Sequence, residues 1–594
     1  MADRRAAVPR PDYPRPQFRR SGWASLNGPW RCAIDAPGAP PVDRRDGEGL
    51  DRTILVPFCP ESRLSGIGHT DFIESLWYAR EIEIPADWAD RVIHLHFGGV
   101  DWSCTVFVDG RPVGEHHGGS AAFHLDITRF VRPGDRHRLV VHVRDATASG
   151  LLPCGKQSRR RESHGCYYTR VTGIWQSVWL EPLDPAALED AALIPDLAGG
   201  ALTIVPTYRA LVAGGRLDVE IAAGGETVAR AEAATRDGVP VHVPVPAPRA
   251  WAPEDPFLYD VTLTVRNAAG RRRDRVAMRA GLRDLGIEDG VLMLNGRPLR
   301  PRFVLDQGYF PDGLWTAPDV ASLEHDIALG RSFGFNGARL HQKVFEPAYL
   351  DHADRTGYLT WVEAPSWGFD ENEPVAARNF LSEWARIVRQ SRNHPSVIAW
   401  TPLNETETRT VGPEHRRLVR DAYDLTRQLD PTRPVNDASG WVHQRTDLWT
   451  VHCYDQDPEA LRRQLTPPPD VFRNHPDAEP PWEGQPYLVD EFGGIQWNAD
   501  AGAPGDAWGY GDAPASEAAF LERLEGLVAA VDEAPGVQGW CYTQLTDVEQ
   551  EVNGLCTADR RPKFHPARLR AVFERGGVIA PDKTPGPDGR VRRP

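Results

Sequence analysis

The chain has 594 residues, 41% hydrophobic and 25% charged, so it can bury a large interior and exceeds what one hydrophobic core supports; about two to four domains are expected. Its net charge of −15 opposes general attraction to nucleic-acid phosphates or anionic lipid, both of which reward clustered Lys and Arg, and a neutral substrate fits better. No stretch approaches the roughly 18 apolar residues of a membrane span, residues 1–20 lack the apolar core of a secretory signal, and the eight cysteines show neither a Cys-x-x-Cys pair nor zinc-type Cys/His spacing, so a cytoplasmic chain without metal or cofactor is expected.

Short β-rich runs at 76–78, 82–84, 92–97, 104–108 and 139–143 are separated by turns, and Asp109-Gly110 after the run 105–108 is a hairpin signal. Residues 1–182 therefore read as a β-sandwich, of jelly-roll-like type. Runs at 201–205, 217–221, 241–245 and 258–265 repeat the style on a smaller scale, which predicts an immunoglobulin-like sandwich over 183–283.

From residue 284 onward apolar runs alternate with helical segments such as 376–390 and 515–530. The runs at 302–305, 337–340, 359–363, 397–402, 435–438, 450–453, 487–490 and 537–542 predict a (β/α)8 TIM barrel over 284–594. Function in such a barrel sits at the C-terminal ends of the strands. The residues found there are Asp306, Arg339, His341, Glu363, Asn404, Glu405, Asp437, His452, Tyr454, Asp490, Glu491 and the run from Trp540 to Gln544. Glu405 and Glu491 follow different strands and are expected to project into one mouth. Glycoside cleavage with retention needs such a pair, one carboxyl to protonate the leaving oxygen and one carboxylate to attack the anomeric carbon. The competing reading of a lone strand-end Glu is a structural salt-bridge partner.

At these positions the chain resembles glycoside hydrolase family 2, through Trp400-Thr401-Pro402-Leu403-Asn404-Glu405 and Val489-Asp490-Glu491-Phe492-Gly493. The resemblance extends to Ser25-Leu26-Asn27-Gly28-Pro29-Trp30, Phe97-Gly98-Gly99-Val100-Asp101, Gly173-Ile174-Trp175, Gly334-Phe335-Asn336 and Asp354-Arg355-Thr356-Gly357, and the order of domains is also the family's. It implies that Glu405 is the general acid/base and Glu491 the nucleophile of a retaining exo-glycosidase. It further implies that Asn404 orients the sugar 2-hydroxyl, that Tyr454 contacts the nucleophile and that Trp540 forms an aromatic floor under the ring. A core tyrosine and barrel-core packing are the respective alternatives for the last two. Arg339 either clamps the nucleophile or supports the barrel. His341, His452 and Asp306 complete the expected substrate-binding set, although many members place a His three residues after the equivalent Arg, where this chain has Gln342.

The resemblance also bears on the sugar. Glucuronide-cleaving members use an Asn-x-Lys motif near the eighth strand, whereas 551–557 contains no Lys, so a glucuronide is disfavoured. The acidic and His residues of the family's metal sites are replaced by Glu363-Ala364-Pro365-Ser366-Trp367-Gly368 and Tyr167-Tyr168-Thr169-Arg170-Val171. The favoured substrate is a neutral β-galactoside-like pyranoside or furanoside, with arabinoside, mannoside, glucuronide, transglycosylation and an inactive carbohydrate-binding protein as alternatives. The expected partner is carbohydrate, with no nucleic acid or membrane; homo-oligomerisation is left open.

Overall fold

The computed structural model describes residues 8–575 except 39, 41, 407–410, 466–470 and 499–504; the ends of the outer domain ranges expected above lie outside the described residues. The first sandwich has a six-stranded sheet, in spatial order Arg52–Val56, Gly28–Ile34, Ser75–Glu83, Arg136–Arg144, Ser103–Val108 and Arg111–His117. It faces a four-stranded sheet of Ala24–Ser25, Val178–Leu183, Val92–Phe97 and Phe123–Asp126. Trp30, Tyr78, Leu95 and Val141 belong to the core between them. The second sandwich packs a three-stranded sheet, from Leu188–Asp196 onward, on a four-stranded one. Its strand Arg272–Ala280 alternates buried and exposed side chains, the period-two signature of a strand with one face on the core.

Arg20 ties these domains together. Its guanidinium donates to Asp274 Oδ1 at 3.1 Å and Oδ2 at 2.9 Å on the second sandwich, and to Glu181 Oε2 at 3.3 Å on the first. All three groups are buried, so the pairing answers a desolvation cost that none could meet alone.

A small sheet, Leu285–Glu288, Val291–Leu294 and Arg297–Pro298, leads into the barrel. The barrel segments are β1 (Arg302–Asp306), β2 (Gly337–Leu340), β3 (Leu359–Glu363), β4 (Val397–Thr401), β5 (Leu403–Asn404), β6 (Ala438–Ser439), β7 (Trp449–Cys453), β8 (Tyr487–Gly493) and β9 (Val537–Thr543). Seven of them form one parallel sheet in the order β4-β3-β2-β1-β9-β8-β7, and β5 pairs with β6 to span the remaining gap. The expected strand over 435–438 is thus reduced to Ala438–Ser439 and a single Trp400–Val435 bridge. Pro402 and Pro434 lack the N–H that a ladder needs, and the Asp437 carboxylate turns the chain by accepting from Ala438, Gln444 and Arg445 N–H groups. Among the described residues no helix is long and apolar enough to cross a membrane.

Alternation along the strands decides what reaches the mouth. Phe303, Leu305, Trp361, Leu488 and Cys541 form an inner cluster with Leu292 and Trp251. Val304, Val362, Val489, Trp540 and Tyr542 belong to the outer cluster shared with the helices. This corrects two sequence expectations. Trp540 is not a floor under the sugar: its ring packs edge-on against Phe335 and Phe492, and its Nε1–H donates to Asp532 at 2.7 Å at the end of the helix Glu517–Asp532. Asp306 shares the parity of Val304 and is buried among Asp326, Arg560 and Lys343, outside the mouth; burial, then Asp326, pushes its carboxyl up to about 7.

Two measurements check this account. Arg20→Met, which strands two buried carboxylates, is expected to lower unfolding free energy by about 3–5 kcal/mol in denaturant titration. Trp540→Phe is expected to lower it by about 1–2 kcal/mol through the lost hydrogen bond to Asp532, with no change in affinity for a sugar-ring ligand.

Candidate active site

Arg339, on β2 and fully buried, organises the barrel mouth. Its Nε donates to Glu363 Oε2 at 2.8 Å, its Nη1 to Glu491 Oε1 at 2.8 Å and its Nη2 to Asn404 Oδ1 at 2.6 Å. One guanidinium thereby fixes side chains from β3, β5 and β8 through the planar fork suited to carboxylates. Of the two alternatives read from sequence, the structure shows the contact with Glu491. Asn404 keeps its Nδ2 buried and without a hydrogen-bond partner among the described residues, a donor free for an incoming hydroxyl.

A register shift in β8 makes this arrangement possible. Val489 pairs with Trp540 of β9 and Phe492 with Tyr542, so two residues of β8 lie between them against one of β9. Such a bulge re-aims side chains, and both Asp490 and Glu491 reach Arg339, at 3.9 and 2.8 Å. Glu405 gets its direction differently. It follows β5 with φ +43°, in a region non-glycine residues rarely occupy, while its N–H is held by the Ser439 carbonyl at 3.0 Å.

Between the two glutamates stands His452. Its Nδ1 lies 2.6 Å from Glu405 Oε1 and 3.4 Å from Glu491 Oε2. Tyr454 OH donates to Glu491 Oε2 at 2.6 Å and lies 2.9 Å from Thr543 Oγ1, with its ring stacked on Tyr510 at 3.6 Å. Burial opposes charge on Glu491, but His452 and Arg339 outweigh it and hold the carboxyl down at about 2. Burial also opposes charge on His452, yet Glu491, Asp490 and Glu405 raise it to about 10. His341 is driven well below its ordinary value by burial, then by Lys156 and Arg339, and is a neutral ring 4.0 Å from Glu491 Oε1. Glu363 is pushed up to about 7 by burial against the pull of Arg339.

The mouth therefore gathers Glu405, Glu491, Asn404, Arg339, His341, His452 and Tyr454, and leaves out Asp306 and Trp540. It also holds a residue that sequence reasoning missed. A segment of the first sandwich, residues 150–172, is stapled to the barrel rim: Cys154 N–H donates to the Trp367 carbonyl at 2.7 Å, and Trp508 Nε1–H to the Gly165 carbonyl at 2.7 Å. Gly155, at φ +59°, permits the approach, since a Cβ there would lie 2.4 Å from the Gln342 carbonyl oxygen. The neighbouring Lys156 is buried with its ammonium 4.2 Å above the Trp367 ring. Burial disfavours its charge, but Cys166, Glu551, Glu491 and Glu405 raise its pKa. The only sequence signal was the scarcity of lysine, since Lys156 is one of four.

Residues 70–181 match the sugar binding domain of glycosyl hydrolases family 2, 208–283 match a further model described as glycosyl hydrolases family 2, and 286–575 match the family's TIM barrel domain. A β-galactosidase of Aeromonas hydrophila is 27% identical over 94% of this chain and 55% of its own length. A β-galactosidase of Thermoanaerobacter pseudethanolicus is 23% identical over 82% of this chain and 63% of its own length, so the chain spans little more than half of these two relatives. A β-glucuronidase of Paenibacillus borealis is 24% identical over 92% of this chain and 96% of that one. The β-glucuronidase from Ruminococcus gnavus, solved with D-glucuronic acid, shares the fold at TM-score 0.78 and 21% identity, covering 95% of this chain and 99% of that chain. With three matched segments in series along most of its length, the chain belongs to glycosyl hydrolase family 2.

Proposed function

We propose that the chain is a retaining exo-β-glycosidase in which Glu405 is the general acid/base and Glu491 the nucleophile. The observation that carries this reading is that the two carboxylates, one just after β5 and one on β8, meet in one mouth with an oxygen of each within 4.8 Å. Double displacement uses carboxyl groups about 5–5.5 Å apart, whereas inversion needs roughly 6.5–9.5 Å to admit a water. The hydrogen bonds that hold residues 150–172 on the barrel rim put a segment of another domain beside the mouth, which supports a chain-end substrate over the middle of a polymer.

In the first step a Glu491 oxygen attacks the anomeric carbon while Glu405 passes its proton to the departing oxygen; a glycosyl ester forms and the aglycone leaves as an alcohol. In the second, Glu405 takes a proton from water, whose oxygen attacks the anomeric carbon and releases the Glu491 carboxylate. Arg339, His452 and Tyr454 keep Glu491 ionised for the attack, and Asn404 Nδ2 is placed for a ring hydroxyl.

For the sugar we favour a neutral β-galactoside-like substrate, consistent with the β-galactosidases among the relatives and with the absence of Lys from 551–557. A β-glucuronide is the second reading, supported by β-glucuronidases among the relatives and by Lys156, a buried ammonium beside the catalytic pair that suits a sugar carboxylate.

Glu491→Gln is expected to abolish turnover of aryl glycosides, because an amide cannot form the glycosyl ester. Glu405→Gln is expected to keep glycosylating Glu491 from activated substrates, with azide accelerating the slowed second step; equal loss on good and poor leaving groups without azide rescue would remove Glu405 from the acid/base role. Comparison of 4-nitrophenyl β-D-galactopyranoside with the β-D-glucuronide decides the sugar. The galactoside is expected to show the higher kcat/KM; a higher value on the glucuronide that drops about 100-fold in Lys156→Met selects the second reading.

A further inference from the structure

His452 contacts both proposed catalytic carboxyls, and the way it is held shows which protonation state the site is built for. Its Nδ1 points at Glu405 Oε1 at 2.6 Å. Its Nε2 lies 3.1 Å from Ser439 Oγ, which itself donates to Asp490 Oδ2 at 2.5 Å. Because the Ser439 proton goes to Asp490, the hydroxyl meets His452 as an acceptor, so both ring nitrogens face acceptors and both are satisfied by an imidazolium. The ring cannot easily move. Gly440, at φ +72°, packs so closely that a Cβ would fall 2.2 Å from the ring, and Asn474 receives the His452 backbone N–H at 3.0 Å.

We infer that His452 is a positioning residue whose fixed positive charge lies between Glu405 and Glu491 and balances the single negative charge that passes from one to the other during the reaction. The inference rests on the glycosidase reading above. Before the first step the charge is on Glu491 and Glu405 carries a proton; in the glycosyl ester Glu491 is neutral and Glu405 is ionised. One cation in reach of both, at 3.4 and 2.6 Å, faces the ionised carboxylate in each state without having to move. Preorganised charge of this kind lowers both barriers because no dipole has to reorient as the charge develops. Other charged or titratable groups that act on the pair are Asp490 from β8, Glu363 from β3, Arg339 from β2 with His341 just after it, Tyr454 after β7, His475, Tyr510 and Glu551 from the barrel loops, and Lys156, Cys166 and Tyr167 from the first sandwich. Among the described residues Arg339 is hydrogen-bonded to Glu491 and not to Glu405, and His452 is the cation bonded to Glu405.

The test is the pH dependence of kcat/KM, in His452→Gln and His452→Lys, on whichever member of a 4-nitrophenyl glycoside panel (galactoside, glucuronide, mannoside and arabinoside) the unaltered protein hydrolyses. Loss of the cation raises the proton affinity of both carboxyls. In His452→Gln the acid limb, set by protonation of Glu491, and the alkaline limb, set by ionisation of Glu405, are therefore both expected to move upward, by about one to three pH units. kcat is expected to fall on the order of 100-fold. His452→Lys restores a cation and is expected to return both limbs toward their original pH even if the rate stays low, a result that a merely structural role would not produce. Limbs that stay in place in His452→Gln, or an alkaline limb that moves down, overturn the inference. His452→Asn replaces the Gln variant if that chain does not melt cooperatively. Absence of turnover of every member of that panel by the unaltered protein overturns the glycosidase reading as well, so the two failures are told apart.

Discussion

Glu363, Glu405, Asp490 and Glu491 converge on one barrel mouth, and the rest of the site is arranged around the repulsion and desolvation they would otherwise suffer. Arg339 bonds to Glu363 and Glu491, His452 to Glu405, and Ser439 to Asp490, while Lys156 adds a third cation from another domain. The balance is uneven, and the unevenness is useful. Glu491 has two cations and a phenol aimed at it and is held ionised; Glu363, buried opposite the same Arg339, is pushed up to about 7. The environment thereby sets two neighbouring carboxyls, Glu491 and Glu363, to opposite sides of their ordinary proton affinity.

The backbone meets this demand at two irregular points. The bulge in β8 turns Asp490 and Glu491 toward the same cation, which a regular strand would not do because its successive side chains face opposite sides. Glu405 holds a left-handed backbone conformation, costing about 1–3 kcal/mol, against a hydrogen bond to the Ser439 carbonyl. Both irregularities carry a proposed catalytic group. The neighbouring segments β2 and β3 supply Arg339 and Glu363, and Arg339 bonds to both Glu363 and Glu491.

The first sandwich is part of this site as well as a neighbour of it. Its segment 150–172 brings Lys156 to the mouth and hydrogen-bonds to loops of the barrel, with Tyr168 OH accepting from Gln307 and donating to Glu551. The absence of lysine from 551–557 disfavours a glucuronide as far as the barrel loop alone is concerned. In the folded chain a lysine hundreds of residues earlier, Lys156, feels the charge of Glu551 and of both proposed catalytic glutamates.

The alternation of apolar runs and helices marked the barrel, and strand ends picked out Arg339, His341, Asn404, Glu405, His452, Tyr454 and Glu491, because parallel strands deliver their C-terminal residues to one rim. The same rule overreached at Asp306 and Trp540: proximity to a strand end does not say which face a side chain takes, and that parity is set by the neighbouring strands and the helices outside. The short strand at 438–439 was misread as a longer one because the proline interruptions act through pairing across the sheet. Residue identity along the chain thus determined the fold class and the chemical groups available to one rim. Only the tertiary structure decided the facing of Trp540, the bulge at Glu491, the contact of His452 with both carboxyls and the arrival of Lys156, because each depends on contacts between segments that no local pattern connects.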